Sequence, residues 1–296
     1  MAATPTTTAQ ALRVLVCVAS GRSGPGLVSL AGALRGGNGA PGEIEALHLL
    51  RPTDRASFIL EQEQENDDTE AGLHPLLDRA ESLGLAVRPT TFVSAEPAED
   101  ISRVAEVKRA DLVLMGWHRP VVSQTLLGGI VYEVMKNAFS AVGVFVDRGM
   151  AAPRRVLVLF RGSPHDLAAL SLAHRLMLHA SAEVTVMAVS ENEAEHTGLE
   201  LALGQAVDRV FRTRDEVRVK TSIDSSAVAA VLAESARGYD LVVVGVGKVW
   251  GLEQRLIGMH PERLMQDSPV SLLVVRGSDS LVDAQSGKIE TTAGVA

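Results

Sequence analysis

The sequence is poor in several things at once, and each scarcity closes off a class of protein. One cysteine, Cys17, stands in 296 residues, so no disulfide framework and no cysteine metal site can be assembled within the chain. It lies inside "RVLVCVAS" and reads as an inert core thiol. Aromatic residues make up 3% of the chain against 46% hydrophobic residues in all, so the core must be built from Val, Leu, Ala and Ile. No apolar run approaches the ~20 residues that span a bilayer. The opening "MAATPTTTAQ" lacks the basic and then apolar pattern of a secretion signal. A soluble, cytosolic chain is the expectation. Positive charge is short as well: 28 Lys and Arg against 36 Asp and Glu give a formal charge of −8. With no basic stripe, general nucleic-acid binding is disfavoured.

What the chain does have is rhythm. Apolar runs of strand length alternate with segments of helical period almost throughout. Strands are expected at Arg13–Ala19, Ile44–Leu50, Ala86–Val93, Asp111–Gly116 and Ala141–Val146, with helices near Gly26–Leu34, Leu73–Leu83, Glu96–Lys108 and Gly129–Asn137. "VLVCVA" and "DLVLMG" are nearly continuous in apolar residues, as strands are when both faces of a parallel sheet are covered. Residues Pro52 to Glu70, with "EQEQENDDTE", break the rhythm as a solvated acidic loop.

The second half repeats the plan. Strands are expected at Arg155–Phe160, Glu183–Val189, Glu216–Ser222, Asp240–Gly245 and Val270–Val275. Helices are expected near Asp166–His179, Leu199–Phe211, Ser225–Ala236 and Pro261–Gln266. "DLVLMG" at Asp111 and "DLVVVG" at Asp240 are offset by 129 positions, an offset shared by Gly129 with Gly258 and Val146 with Val275; the first strands, Ala19 against Arg161, are offset by 142. Two tandem copies of one α/β unit follow. Residues 1–150 form the first and 151–277 the second, joined by "DRGMAAPRR". The polar tail, 278–296, reads as flexible.

Chemistry is expected where a strand runs through glycines into a helix. Backbone N–H groups there can approach an anion, and the helix terminus adds favourable partial charge. In open parallel sheets such ligands sit at the carboxyl ends of strands. The fourth strand of each copy ends this way, at Gly116 and at Gly245.

The spacing resembles the universal stress protein family, whose nucleotide-binding members carry Gly-x-x-Gly, nine residues, then Gly-Ser or Gly-Thr. The first copy reads Gly116, Trp117, His118, Arg119, nine residues, Gly129, Ile130; the second reads Gly245, Val246, Gly247, Lys248, nine residues, Gly258, Met259. The outer glycines stand in both copies, the middle one is replaced by Arg119 or Lys248, and the hydroxyl residue by Ile130 or Met259. Where the family tends to place Asp and then Gly-Ser after its first strand, this chain has Ala19-Ser20-Gly21 and Arg161-Gly162-Ser163. The resemblance implies an α/β fold of two tandem doubly wound, Rossmann-like, five-stranded and mainly parallel sheets with helices on both faces. It also implies pairing of related domains through their last strands.

A broader resemblance covers nearly the whole chain. "EDISRVAEVKRADLVLMGWHR", "AVGVFVDRG" and "VLVLFRGSPHDLAALSLAHRLM" are similar to the cytosolic C-terminal region of monovalent cation:proton antiporters, the plant cation/proton exchangers and their bacterial relatives. That resemblance implies a regulatory domain at the cytosolic face of the membrane, attached to or associated with an antiporter domain, and homodimeric like it. The implied ligand is an adenine nucleotide: AMP, ADP, ATP or cyclic di-AMP. The expected site comprises Ala19, Ser20, Gly21, Gly116, His118, Arg119, Gly128, Gly129 and Ile130. Arg119 is its phosphate-binding guanidinium. A second site would comprise Arg161, Gly162, Ser163, Gly245, Gly247, Lys248 and Gly258, in which Arg161 contacts phosphate or pairs across the junction between copies. The alternatives are a ligand-free dimerisation or assembly module, or a free-standing tandem universal stress protein.

No catalytic residue is assigned and an enzyme is not expected. Ser163, His165 and Asp166 are neighbours in sequence, but "GSPHDLAAL" reads as a helix entry with Asp166 near its cap. His174 and His179 are five apart and do not share a helix face as metal ligands would. No carboxylates cluster at strand ends to hold Mg²⁺.

Overall fold

The computed structural model describes residues 11–36, 42–50, 52, 72–117, 129–163, 165–211, 213–247 and 261–278. The first copy runs β1 (Val14–Val18), α1 (Gly24–Arg35), β2 (Ile44–Leu50), α2 (72–82), β3 (Val87–Val93), α3 (Pro97–Val107), β4 (Leu112–Gly116), α4 (Gly129–Asn137) and β5 (Ala141–Val146). The second runs β6 (Arg155–Phe160), α5 (Asp166–Ala180), β7 (Glu183–Ser190), α6 (Glu193–Val210), β8 (Val217–Ile223), α7 (Ala227–Ser235), β9 (Leu241–Gly245), α8 (Pro261–Asp267) and β10 (Ser271–Arg276). The expected elements are all present, most within two residues of their expected ends. Helix α6 is the exception, starting six residues before Leu199. Asn192 caps it by accepting a hydrogen bond from the Glu195 N–H at 3.1 Å, and Glu193 and Glu195 in the first turn suit the helix dipole.

The two expected five-stranded sheets are joined edge to edge into one sheet of ten strands, in the order β3-β2-β1-β4-β5-β10-β9-β6-β7-β8. Every pairing within a copy is parallel, while β5 and β10 pair antiparallel with Val144 opposite Val274. Alternation along each strand sends side chains to two cores. Val14, Val16 and Val18 meet α1, α2, α5 and α6 on one face, and Leu15 and Cys17 join the residues of α3, α4, α7 and α8 on the other. Burial pushes the Cys17 thiol up to about 12, which leaves it inert.

Three arginines tie the copies together, and each ends on carbonyls at the C-terminus of a helix in the other copy. Arg175 of α5, 1% exposed, donates to the carbonyls of Leu34 at 2.8 Å and of Gly36, at the end of α1. Arg276 of β10, also 1% exposed, donates to the carbonyls of Ala138 (2.7 Å) and Ser140 beyond α4. Arg148 donates to Met265 and Gln266 of α8 at 2.9 and 3.0 Å. Helix ends leave such carbonyls without intrahelical partners and carry negative partial charge, so a guanidinium there satisfies both needs. Burial lowers the pKa of Arg175 to about 10, an effect offset in part by Asp111.

The outer strands β3 and β8 are the free edges of this sheet. Pro89 interrupts the donor row of one, and Arg218 and Lys220 put charge on the other, both devices that discourage pairing with a further strand.

Replacing Arg276 by Met keeps bulk but strands two buried carbonyls. Urea unfolding is expected to show a loss of about 3 kcal/mol. Arg148→Met, at the exposed rim, is expected to cost less than about 1 kcal/mol.

Candidate functional site

Within each copy the chain lays its first three strands outward and then returns to place the fourth beside the first. Crossovers therefore diverge between β1 and β4, and again between β6 and β9, which is where open α/β sheets present a crevice. In the second copy that crevice is a cavity of about 250 Å³, walled by Arg161, Gly162, Ser163 and Asp166 on one side and Val244 to Gly247 on the other. Gly162 turns the chain with φ of +81°, a conformation that favours glycine. A Cβ on Gly245 would stand 2.6 Å from the backbone carbon of His165 and 2.8 Å from the Asp166 nitrogen. Gly245 is thus required by the close approach of the α5 entry.

Asp166 organises this wall. Its side chain is 2% exposed, and one carboxylate oxygen accepts the backbone N–H groups of Arg161 at 2.9 Å and Ser163 at 2.8 Å. Burial pushes its carboxyl up to about 6 from an ordinary value of 3.8, while those N–H groups and the charge of Arg161 pull the other way. The helix entry expected at Asp166 is found, with Asp166 in the first turn and His165 at the cap position. The Ser163 side chain acts on the same carboxyl as the backbone N–H groups of Arg161 and Ser163.

Arg161 and Gly162 also wall a second lobe of about 360 Å³, completed by Val189, Ser190, Leu199 and Ala202. Beside it, the Ser190 hydroxyl lies 2.9 Å from His196 Nδ1, and His196 Nε2 lies 3.3 Å from Glu200. The carboxylate calls for a proton on Nε2, so Nδ1 accepts from Ser190. With Ser190 only 3% exposed, the relay fastens the start of α6 to the end of β7. Arg161 acts electrostatically on Asp166 of its own copy.

In the first copy, the residues Ala19, Ser20 and Gly21 after β1 and Gly116 at the end of β4 come together through the β1–β4 pairing. A Cβ on Gly116 would lie 2.9 Å from that of Ser23, the counterpart of the fit at Gly245. Gly24 stands where the second copy has Asp166. Gly129 and Ile130 line another groove, between α3 and α4, with Glu96, Ala98, Ser102 and Glu133. His118, Arg119 and Gly128, like Lys248 and Gly258 of the second copy, lie outside the described residues. The sequence missed the lobe formed by Val189, Ser190, Leu199 and Ala202, because it is assembled from β7 and α6 with no strand–glycine–helix spacing to mark it. Among the described residues no group of three or more His, Cys, Asp or Glu side chains is placed to hold a metal ion. No described helix is long and apolar enough to cross a membrane.

A doubly wound sheet with its crevice at the strand divergence defines a Rossmann-like α/β protein. The chain belongs to the universal stress protein family, whose model matches residues 11–145 and 153–276. It is 26% identical to "Cation/H(+) antiporter 15" of Arabidopsis thaliana, over 92% of this chain and 35% of that protein. It is 23% identical to "Cation/H(+) antiporter 20" of the same plant, over 88% and 41% respectively. The chain thus spans about a third to two fifths of the length of these relatives. Among solved structures, a universal stress protein from Archaeoglobus fulgidus is similar with a TM-score of 0.63 and 16% identity, over 88% of this chain and 97% of that one. The cytoplasmic domain of a prokaryotic cation chloride cotransporter is similar with a TM-score of 0.59 and 12% identity, over 93% and 99%. At those identities the likeness is one of fold.

Two predictions concern, in turn, glycines at the helix entries and Asp166. Gly245→Ala must push the α5 entry away and is expected to cost about 2–3 kcal/mol in urea unfolding. Gly129→Ala, with nothing within 4 Å of the added methyl, is expected to be neutral or to stabilise by up to about 1 kcal/mol. The second concerns Asp166. Its folded pKa is raised, so the stability it contributes is complete below 3.8 and is lost as pH rises through about 6. Asp166→Asn is therefore expected to gain on the natural protein by about 3 kcal/mol between pH 4 and 7, read as the difference between their unfolding free energies across that range.

Proposed function

We propose that this chain is a cytosolic regulatory domain of a cation/proton exchanger, joined to or associated with a membrane antiporter domain, homodimeric with it, and controlled by an adenine nucleotide. The supporting observation is the match of 92% of the chain to a stretch of a protein named for cation/proton exchange, in a family fold that the structure presents twice. The ligand reading rests on the second copy's cleft. Its two lobes, joined at Arg161 and Gly162, suit a nucleotide with its base between β7 and α6 and its phosphate at the β6–β9 divergence. Arg161 supplies a planar, bidentate donor at the junction of the lobes. The first copy, with Ala19, Ser20, Gly21, Gly116 and Arg119, is the other candidate site. A ligand controls exchange only by binding one arrangement of the domain better than another, and a coupling of ~1–3 kcal/mol suffices to bias a gate.

A second reading, a ligand-free assembly module, draws support from the same wall. Gly116 and Gly245 have packing reasons to be glycine, and Asp166 already takes the N–H groups of its loop.

Calorimetry and thermal shifts with AMP, ADP, ATP and cyclic di-AMP separate the two. One of these ligands is expected to bind, without turnover, and Arg161→Ala is expected to weaken it at least tenfold while Arg119→Ala leaves it unchanged. Loss of binding on Arg119→Ala alone moves the site to the first copy. No binding of any nucleotide leaves the assembly module.

A further inference from the structure

The N–H groups of the Arg161–Ser163 loop face the cavity wall and are not idle. A carboxylate of the chain itself holds two of them, at 2.9 and 2.8 Å. Backbone N–H groups converging in this way at a helix entry are what binds phosphate in nucleotide proteins. We propose that Asp166 is a resident anion competing with a ligand's phosphoryl group for the Arg161–Ser163 loop, so that a ligand entering this cavity brings a proton onto the Asp166 carboxyl. The inference rests on reading the β6–β9 cavity as the nucleotide's phosphate site, and it assigns that site its regulation.

The physical case has three parts. Asp166 lines the cavity and is 2% exposed, so water does not screen it from an incoming anion, and two negative charges in one low-dielectric wall repel strongly. Its surroundings supply little compensation. From its own loop comes Arg161, which acts on it directly, and beside it on the chain is His165. The facing end of β9, Val244 to Gly247, carries no titratable group. Arg276 of β10 turns to the carbonyls of Ala138 and Ser140. Of the packed helices, α1 carries Arg35 at its far end by Arg175, and α6 carries Glu193, Glu195, His196, Glu200, Asp208 and Arg209, of which Glu195 lines the second lobe. Among the described residues Arg161 is the cation that acts on the carboxylate, and a phosphoryl group would draw on that same cation. Thirdly, the carboxyl titrates at about 6, close enough to neutrality for a proton to be taken up at modest cost.

The protonated carboxyl keeps a carbonyl oxygen and gains an O–H donor, so it can turn toward the ligand as a donor while the loop N–H groups pass to the phosphoryl oxygens. The first copy, with Gly24 in the matching place, lacks this group, and the proton dependence belongs to the second copy alone.

The test uses the whole chain. Amide NMR of the unliganded protein reads the Arg161 and Ser163 N–H groups from pH 5 to 8. Cyclic AMP is the calorimetric probe, because a phosphodiester has no second ionisation near pH 6 to confuse the reading. The two amides are expected to titrate together with a midpoint near 6, and to stop doing so in Asp166→Asn. Affinity for cyclic AMP is expected to rise about tenfold per unit of pH lowered between 8 and 6 and then level, with one proton taken up per ligand. Asp166→Asn is expected to bind equally well throughout that range. Amides that do not titrate, or a variant that keeps the slope of the natural protein, overturn the proposal. Binding of cyclic AMP that is independent of pH in the natural protein also overturns it. If neither protein binds cyclic AMP or sulfate at any pH, the phosphate reading of the cavity falls and the proposed competition with it; amides that titrate even so identify this outcome as a failure of the site, since the carboxyl has then been shown to act on its loop.

Discussion

Everything in this molecule depends on the antiparallel pairing of β5 with β10. Each copy alone would end its sheet in a largely apolar strand, and an exposed apolar edge is a template for uncontrolled association. By pairing them the chain turns its two most dangerous edges into the centre of its sheet, and all six residues of each strand are buried. The arginines that cross the seam follow from that choice. Once helices of both copies crowd the junction, their terminal carbonyls lose water, and Arg175 and Arg276 replace it. Gly143 follows too: a Cβ there would stand 2.8 Å from Leu114 of its own copy and 3.1 Å from Leu273 of the other.

The two copies use their common fold differently. Both press a helix entry against the glycine that ends the fourth strand, so this glycine is part of the scaffold before it is part of any site. Only the second copy adds a carboxylate to the loop, and only there does an arginine stand directly after the first strand. Duplication preserved the frame and left the chemistry at the strand ends free to diverge.

Much of the fold was legible because both of its signals are periodic. Continuous apolar runs mark strands covered on both faces, and the offset between the copies confirmed the plan twice. Helix α6 began early because its start is set by a local hydrogen bond, Asn192 to Glu195, which hydrophobic periodicity does not register. The candidate site was less legible. Glycine spacing led to the correct strand ends, Gly116 and Gly245, but gave no hint that Asp166 folds back onto Arg161 and Ser163. That contact depends on where the loop turns, at Gly162, and on burial. Nor could spacing reveal the lobe at Val189 and Leu199, whose apolar and polar residues are assembled from the β6 end, β7 and α6. Gly129 and Ile130, expected by pattern among the site residues, line the α3–α4 groove.

An antiparallel seam between two otherwise parallel halves also sets a direction. The strands of the first copy run opposite to those of the second, so their carboxyl ends open at opposite margins of the sheet, separated by the length of a strand, ~20 Å. The crevice at Gly116 and the one at Gly245 therefore face away from each other. A single small molecule cannot bridge the two strand ends. The chain is a two-sided plate: an event on one side reaches the other through the strands and through the helices and arginines packed across the seam.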